Sequence, residues 1–256
     1  MEGYFKRKPA IKQSALVIGR QPIIEALEAG RGIDKILLQK NASGDAIVKI
    51  RDLARQYQVP VQYVPVEKLH GMTKANHQGV IAIAALVQYL DLQAVIDHVV
   101  SSGETPLFVM LDGVTDVRNI GAIARSAVTC GAQALIIPDR GVGALNEEAL
   151  KSSAGALEKI QVCRVNSLMK AADTLRLNGI AVLASEMTAQ SYLHEVDLKQ
   201  PCTIIMGGEE HGIFPALMKL ADQTFRIPMS GNFESFNVSV AAGIILYESV
   251  KQRTFS

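Results

Sequence analysis

The sequence predicts an α/β protein in two parts, a small domain followed by a larger one built on a mostly parallel sheet with helices on both faces. Three observations predict it. Short apolar runs of strand type alternate with segments of helical spacing from residue 15 onward. The alternation is interrupted over residues 89–104, where Ser101-Ser-Gly-Glu-Thr-Pro106 marks the best domain boundary. Beyond it the runs resume in strand–helix–strand order, the pattern of parallel crossovers. The expected parts are a basic arm over 1–14, a first domain over 15–88, a linker over 89–104 and a second domain over 105–256.

Taken in order, residues 1–14 are polar and basic, with Tyr4 and Phe5 beside Lys6, Arg7 and Lys8, and read as a solvated arm that could touch phosphates. A strand over Ala15–Ile18 leads to a helix over Pro22–Ala29, with proline in a favoured first-turn position, and a strand over Ile33–Gln39. A helix over Asp45–Tyr57 and strands over Val61–Val64 and Val80–Val87 complete the first domain. The segment between its last two strands, His70-Gly-Met-Thr-Lys-Ala-Asn-His-Gln-Gly79, reads as a turn of exposed polar groups or an RNA-facing loop. Its histidines are seven apart and have no metal-ligand spacing. The linker holds a helix over Leu92–Val100.

The second domain opens with a strand over Leu107–Leu111 and a helix capped by Asn119 that ends at Gly131. Strands follow over Ala134–Ile137, Ile160–Val165, Ile180–Ser185, Thr203–Met206 and Phe225–Pro228, alternating with helices over Asn146–Leu157, Ser167–Leu177 and Pro215–Leu220. A last helix begins after Asn237, with Val238, Ala241, Ala242, Ile245 and Leu246 at helical spacing.

Composition excludes several classes. With 48% hydrophobic and 20% charged residues in 256, the chain is ordinary globular protein with ample core. A net charge of +1 announces no global field for nucleic acid and leaves a local basic face open. Cys130, Cys163 and Cys202 are scattered, which fits a reducing compartment and no disulfide framework. Residues 1–20 lack the apolar core of a signal peptide and no apolar run would span a bilayer, so a cytoplasmic protein is expected. No strand is followed by a dinucleotide fingerprint, because Gly141-Val-Gly143 lacks the third glycine, and no phosphate-binding P-loop occurs.

In open parallel sheets, ligands bind beyond the carboxyl ends of the strands. Three polar loops stand there, over 112–125, 207–212 and 229–237. Taken singly, Asn119 and Asn237 read as helix caps, Glu209 as a first-turn carboxylate and Arg125 as a surface residue. They read as one site only through the order in which they recur with three glycine-bearing loops in a known family.

The stretches Asn119-Ile-Gly-Ala-Ile-Ala-Arg125, Met206-Gly-Gly-Glu-Glu-His-Gly212 and Ile227-Pro-Met-Ser-Gly…Glu234-Ser-Phe-Asn-Val-Ser-Val240 resemble the three motifs of the SpoU/TrmH branch of the SPOUT superfamily, the RNA ribose 2′-O-methyltransferases. The resemblance covers residues 105–256, and the domain before them is similar to the ribosomal-protein-like RNA-binding domain of many members, including His77-Gln-Gly-Val80. It departs at Phe236, where leucine is usual, and at Glu210-His211, in place of a common Gly-x. The resemblance implies a C-terminal trefoil knot, which general rules of chain topology would not suggest. It further implies a homodimer, S-adenosylmethionine as cofactor and a structured RNA as substrate, 23S rRNA being the nearest likeness and tRNA the alternative. Asn119, Arg125, Glu209, Ser235 and Asn237 become the expected catalytic set. Gly207, Ile227 and Phe236 would bind the cofactor, with Met229, Ala184 and Ser185 beside them.

Methyl transfer from a sulfonium needs an aligned hydroxyl and removal of its proton. Arg125 suits bidentate binding of a phosphate oxygen rather than base chemistry, because a guanidinium holds its proton up to a pKa of roughly 12.5–13.8. Glu209 is expected to order Arg125 or a water. A cysteine adduct is not expected, since no cysteine lies in the three loops. A catalytically silent RNA-binding homologue and a small-molecule enzyme are the readings from other classes.

Overall fold

The computed structural model describes residues 16–231 and 235–255, so the arm over 1–14, Ala15, and Asn232 and Glu234 of the last loop lie outside the described residues. The chain divides after Ala85 into two units.

The first unit runs β1 (Leu16–Ile18), α1 (Arg20–Glu28), β2 (Ile33–Gln39), α2 (Asp45–Gln56), β3 (Val61–Val64), α3 (Val66–His70) and β4 (Val80–Ala84). Its sheet has the order β1-β4-β2-β3, antiparallel except for the β2–β3 pair. Ile23, Ile24 and Leu27 of α1 and Ile47, Ile50 and Ala54 of α2 recur at helical spacing and bury against Ile36, Leu38, Val80 and Ala82 on one sheet face. Leu37, Ile81 and Ile83 alternate to the other face, where Leu69 of α3 covers them. Helix α3 has 5 residues, too few positions to show a period in the sequence.

The second unit runs β5 (Tyr89–Leu90), α4 (Leu92–Ser101), β6 (Leu107–Asp112), α5 (Val117–Thr129), β7 (Ala134–Pro138), α6 (Glu147–Ser153), β8 (Gln161–Val165), α7 (Leu168–Leu177), β9 (Ala181–Ser185), β10 (Ser191–Tyr192), β11 (Cys202–Gly207), α8 (Pro215–Met218), β12 (Gln223–Arg226) and α9 (Val238–Phe255). The sheet order is β10-β12-β9-β11-β6-β7-β8-β5, and every pair is parallel. Side chains alternate between two cores. Leu107, Val109, Leu111, Ile204 and Met206 face α5, α6 and α9, while Phe108, Met110, Ile136 and Ile205 face α4, α7 and α8.

Residues 89–104 are therefore no linker. Tyr89 and Leu90 pair with β8 at the sheet edge, and Leu92, Val95, Ile96 and Val99 form the buried stripe of α4. The Ser/Gly/Pro run that suggested a boundary ends that helix and carries the chain back into β6.

Three other expectations shift. The Asp116 side chain accepts a bond from the Arg118 N–H, so α5 is capped there and Asn119 lies inside its first turn. The helix from Asn146 stops at Ser153, because Ala154 and Gly155 both take positive φ, and a 3₁₀ turn over Ala156–Glu158 follows. The short β10 went unread because two residues carry no alternation.

From β6 the sheet grows through β7 and β8 in one direction and through β11, β9 and β12 in the other. This reversal of strand order puts a crevice beyond the carboxyl ends of β6 and β11, at Asp112 and Gly207.

Candidate active site

At that edge the turns after β6 and β11 close on each other through backbone. The Gly208 N–H donates to the Asp112 carbonyl at 2.8 Å, the Gly212 N–H donates to the Gly208 carbonyl at 2.9 Å, and the Asp112 carboxylate accepts the Phe214 N–H at 2.6 Å. Only glycine fits at the two turning points. A Cβ on Gly207 would lie 2.5 Å from the Ile213 nitrogen and one on Gly208 would lie 2.7 Å from the Gly113 carbonyl carbon. Gly207 is thus required by its own loop before any ligand is considered.

The tight turn presents Glu209 to two helix starts. Asn119 Nδ2 donates to Glu209 Oε1 at 3.1 Å, and Asn237 Nδ2 donates to the same oxygen at 2.7 Å and to Asn119 Oδ1 at 3.2 Å. Asn237 is oriented by its own cap: its Oδ1 accepts the Ser239 N–H at 3.0 Å and the Ser239 hydroxyl at 2.6 Å, and its carbonyl accepts the Ala241 N–H at 2.9 Å. With the oxygen end so occupied, the amide N–H₂ must face Glu209. Three residues separated by 90, 28 and 118 positions pairwise thus form one charge-assisted network.

Arg125 stands apart. It lies six residues beyond Asn119 on α5, about 9 Å along the axis and roughly 120° around it by helix geometry. Its side chain is exposed and makes no hydrogen bond or ion pair with the described residues. Glu209, expected to order Arg125 or a water, makes no bond to Arg125 here, and two asparagines hold its Oε1.

Beside the network opens a cavity of about 240 Å³, bordered by Ser185, Gly207, Ile227, Met229, Phe236 and Ser235, with Glu209 at one side. Ala184 does not reach it. It is 0% exposed in β9 and packs into the core below, and strand alternation turns Ser185 outward instead. Glu186, Met187 and Arg226 also border the cavity and were missed. A charged residue closing a parallel strand, as Arg226 closes β12, was the available signal.

The cavity suits S-adenosylmethionine. Met187, Met229 and Phe236 are 43, 37 and 39% exposed around it, an apolar rim that a purine ring would cover. The carboxylates of Glu186 and Glu209 suit a cofactor that carries a sulfonium and an ammonium group. Among the described residues, no cysteine borders it. Burial pushes the Cys163 thiol up to about 12 and the Cys202 thiol up to about 11, the reverse of what a nucleophile needs.

In the first unit, three polar side chains of the loop over 70–79 bond its own backbone, while Gln78 accepts the Arg20 N–H at 3.2 Å on its side chain and Arg20 Nε at 3.1 Å on its carbonyl. His77, 7% exposed, accepts the Gly79 N–H on Nδ1 at 3.0 Å, Thr73 accepts the Ala75 N–H at 3.1 Å and Asn76 accepts the Gln78 N–H at 3.3 Å. Burial, and then the His70 ring 4.8 Å away, lower the His77 pKa below its ordinary value.

A doubly covered parallel sheet with a glycine-bound crevice and a carboxylate clamped by two asparagines defines an α/β protein with a ligand site at its switch point, and comparison with known proteins gives the family. The SpoU rRNA Methylase family model matches residues 106–247, and the model for RNA 2′-O ribose methyltransferase substrate binding matches residues 16–90. YacO of Bacillus subtilis (strain 168), named as a TrmH family tRNA/rRNA methyltransferase, is 32% identical over 242 residues, 94% of this chain and 97% of its own. The SpoU methyltransferase AviRb of Streptomyces viridochromogenes, solved with AdoMet, superposes with a TM-score of 0.60 at 28% identity, covering 94% of this chain and 91% of that one. The A. aeolicus TrmH/SpoU tRNA modifying enzyme superposes with a TM-score of 0.52 at 28% identity, over 63% and 84% of the two chains. The chain belongs to the SpoU/TrmH family of RNA methyltransferases, and its methyl donor is S-adenosylmethionine.

Proposed function

We propose that the protein methylates a ribose 2′-hydroxyl in structured RNA, with 23S rRNA as its substrate. The observation that carries this reading is the Asn119–Glu209–Asn237 network beside the cavity. S-adenosylmethionine supplies a methyl group on a sulfonium when bound. Ser185, Gly207, Ile227, Met229 and Phe236 would hold it, Gly207 and Ile227 offering backbone polar groups and Phe236 and Met229 apolar surface. Glu209 would accept the ribose O–H on Oε2, the oxygen that the asparagines leave open, and so orient that hydroxyl for transfer. Ser235, at the cavity edge, fixes the neighbouring backbone. Arg125 would bind the phosphate next to that ribose through its free guanidinium fork, and the hydroxyl proton would leave along its bond to Glu209 and on to water or phosphate, the oxygen–carbon bond forming as the methyl–sulfur bond breaks to release S-adenosylhomocysteine.

The first unit selects the RNA, which the match of its sequence to a substrate-binding model supports. Two chains associate through α9, where Val240, Tyr247 and Phe255 are 50, 64 and 79% exposed. The C-terminal trefoil knot implied by family resemblance is part of this reading. The strand order β12-β9-β11-β6 and the packing of α9 on α5 support it. Three unpaired cysteines suit work in the reducing cytoplasm.

The test is transfer of labelled methyl from S-adenosylmethionine to purified 23S rRNA and, separately, tRNA, followed by nucleoside mass analysis. Label on ribose of 23S rRNA supports the reading. Label on a base would overturn the 2′-hydroxyl assignment, label on tRNA alone the choice of RNA, and no transfer with intact cofactor binding would make the protein a silent RNA binder.

A further inference from the structure

Among the described side chains that border the cavity, one is cationic, Arg226. It ends β12 directly after Phe225, which is fully buried, so strand alternation turns the guanidinium to the opposite face. There its carbon lies 4.6 Å from the centre of the Tyr192 ring and Nη2 donates to the Tyr192 hydroxyl at 2.9 Å. Tyr192 is itself fixed. Its backbone N–H donates to the Glu195 carboxylate at 2.7 Å, and its ring stacks on His194 with centroids 5.8 Å apart.

The guanidinium is held but not neutralised. Nε is buried with no hydrogen-bond partner, and no carboxylate among the described residues pairs with Arg226. A sheltered donor on a cation is costly until an anion reaches it, and a planar fork of N–H groups matches a carboxylate. The rest of the cavity would repel such an anion, because its other charged groups, Glu186 and Glu209, are negative. S-adenosylmethionine carries one anionic group, the α-carboxylate of its methionine part. We infer that Arg226, braced on Tyr192, binds that carboxylate and makes the pocket discriminate against cofactor analogues that lack it. This rests on the assignment of the cavity to the cofactor.

Calorimetry with three probes tests it: S-adenosylmethionine, S-adenosylhomocysteine and decarboxylated S-adenosylmethionine, which keeps the sulfonium and the amine. The wild-type protein should bind the decarboxylated compound about 10- to 100-fold more weakly than the intact cofactor, as expected for loss of one charge-assisted bond. Arg226→Gln should lose that preference and weaken S-adenosylmethionine and S-adenosylhomocysteine alike, and Arg226→Lys should recover part of it. Wild-type protein that binds both sulfonium compounds equally would overturn the inference without recourse to any variant. So would an Arg226→Gln protein, folded by its thermal transition, that weakens all three probes by one factor, since that marks a wall residue. An unchanged preference with lost RNA affinity, read by fluorescence anisotropy, would give the guanidinium to an RNA phosphate and overturn it too. Failure of all three probes to bind wild-type protein would instead overturn the cofactor assignment beneath it.

Discussion

The two units both carry loops crowded with polar side chains, and they use them in opposite ways. In the first, His77, Thr73 and Asn76 each bond an N–H two residues along the chain and so shape the loop over 70–79 locally, with Gln78 reaching further to accept from Arg20. In the second, Asn119, Glu209 and Asn237 reach across as many as 118 positions to one another. Local bonds set the shape of a turn. Long-range bonds among side chains are expensive to assemble, because each depends on the whole sheet being in register, and they leave a preorganised carboxylate at the sheet edge.

The largest effect that would break this comparison comes from cutting the chain. A protein starting at Leu86 should fold and keep cofactor binding while losing choice of RNA site, whereas one starting at residue 105 should not fold. The second cut removes the buried Leu92, Val95, Ile96 and Val99 of α4, about 6–12 kcal/mol at roughly 1.5–3 kcal/mol per side chain, comparable to the stability of a typical domain. Circular dichroism and calorimetry on both proteins check it. A folded chain from residue 105 would contradict the placement of α4 in the core.

Next is the glycine turn. Gly207→Val drives a side chain into the Gly212–Ile213 backbone and should destabilise the second unit by about 3 kcal/mol, the upper end for overpacking. Hydrogen exchange should show the loosening at 208–213 before it appears elsewhere, and cofactor affinity should fall with it. An unaltered thermal transition would mean that the loop adapts.

Catalytic losses come third. Arg125→Lys keeps the charge and loses the fork, so turnover should drop about 10- to 100-fold with cofactor affinity nearly unchanged. Activity should not recover at alkaline pH, because a lysine that positions phosphate loses its charge as it approaches its reference pKa of about 10.4. A single-turnover rate that climbs with pH past the wild-type profile would make residue 125 a base.

The smallest effect belongs to His77. Burial and His70 hold its folded pKa below the ordinary 6.5, so as pH falls the unfolded chain takes up this proton first. The stability of the first unit should be complete above pH 6.5 and decline as pH drops through the lower folded value. His77→Gln should flatten that slope in hydrogen exchange of residues 77–84. A slope unchanged by the substitution would move the titration to another group.

Much of the fold was legible because apolar period separates strands from helices. The strands over Ile33–Gln39 and Val61–Val64 have the expected bounds, and Ser167 and Asn146 cap their helices. What misled was punctuation. Ser101 to Pro106 reads as a linker, yet the same residues end a helix, and only burial of α4 decides between the two. Asn119 reads as a cap because an apolar stripe follows it, while Asp116 three residues earlier does the capping and leaves Asn119 for Glu209. The meeting of Asn119, Glu209 and Asn237 could not be read from spacing, since contacts at that separation depend on strand order. Resemblance grouped the residues, and geometry shows that Arg125 is not bonded to them.

Methyl transfer should require the three networked side chains to act as one unit. Single-turnover methylation, with cofactor saturating, should be compared for Asn119→Ala, Glu209→Ala, Asn237→Ala and the triple variant. If the asparagines work by holding Glu209, Glu209→Ala and the triple variant should lose nearly the same factor, about 100-fold or more, and the asparagine losses should not add to it. Losses that multiply across the three positions, or a Glu209→Ala protein that turns over like wild type, would contradict the account.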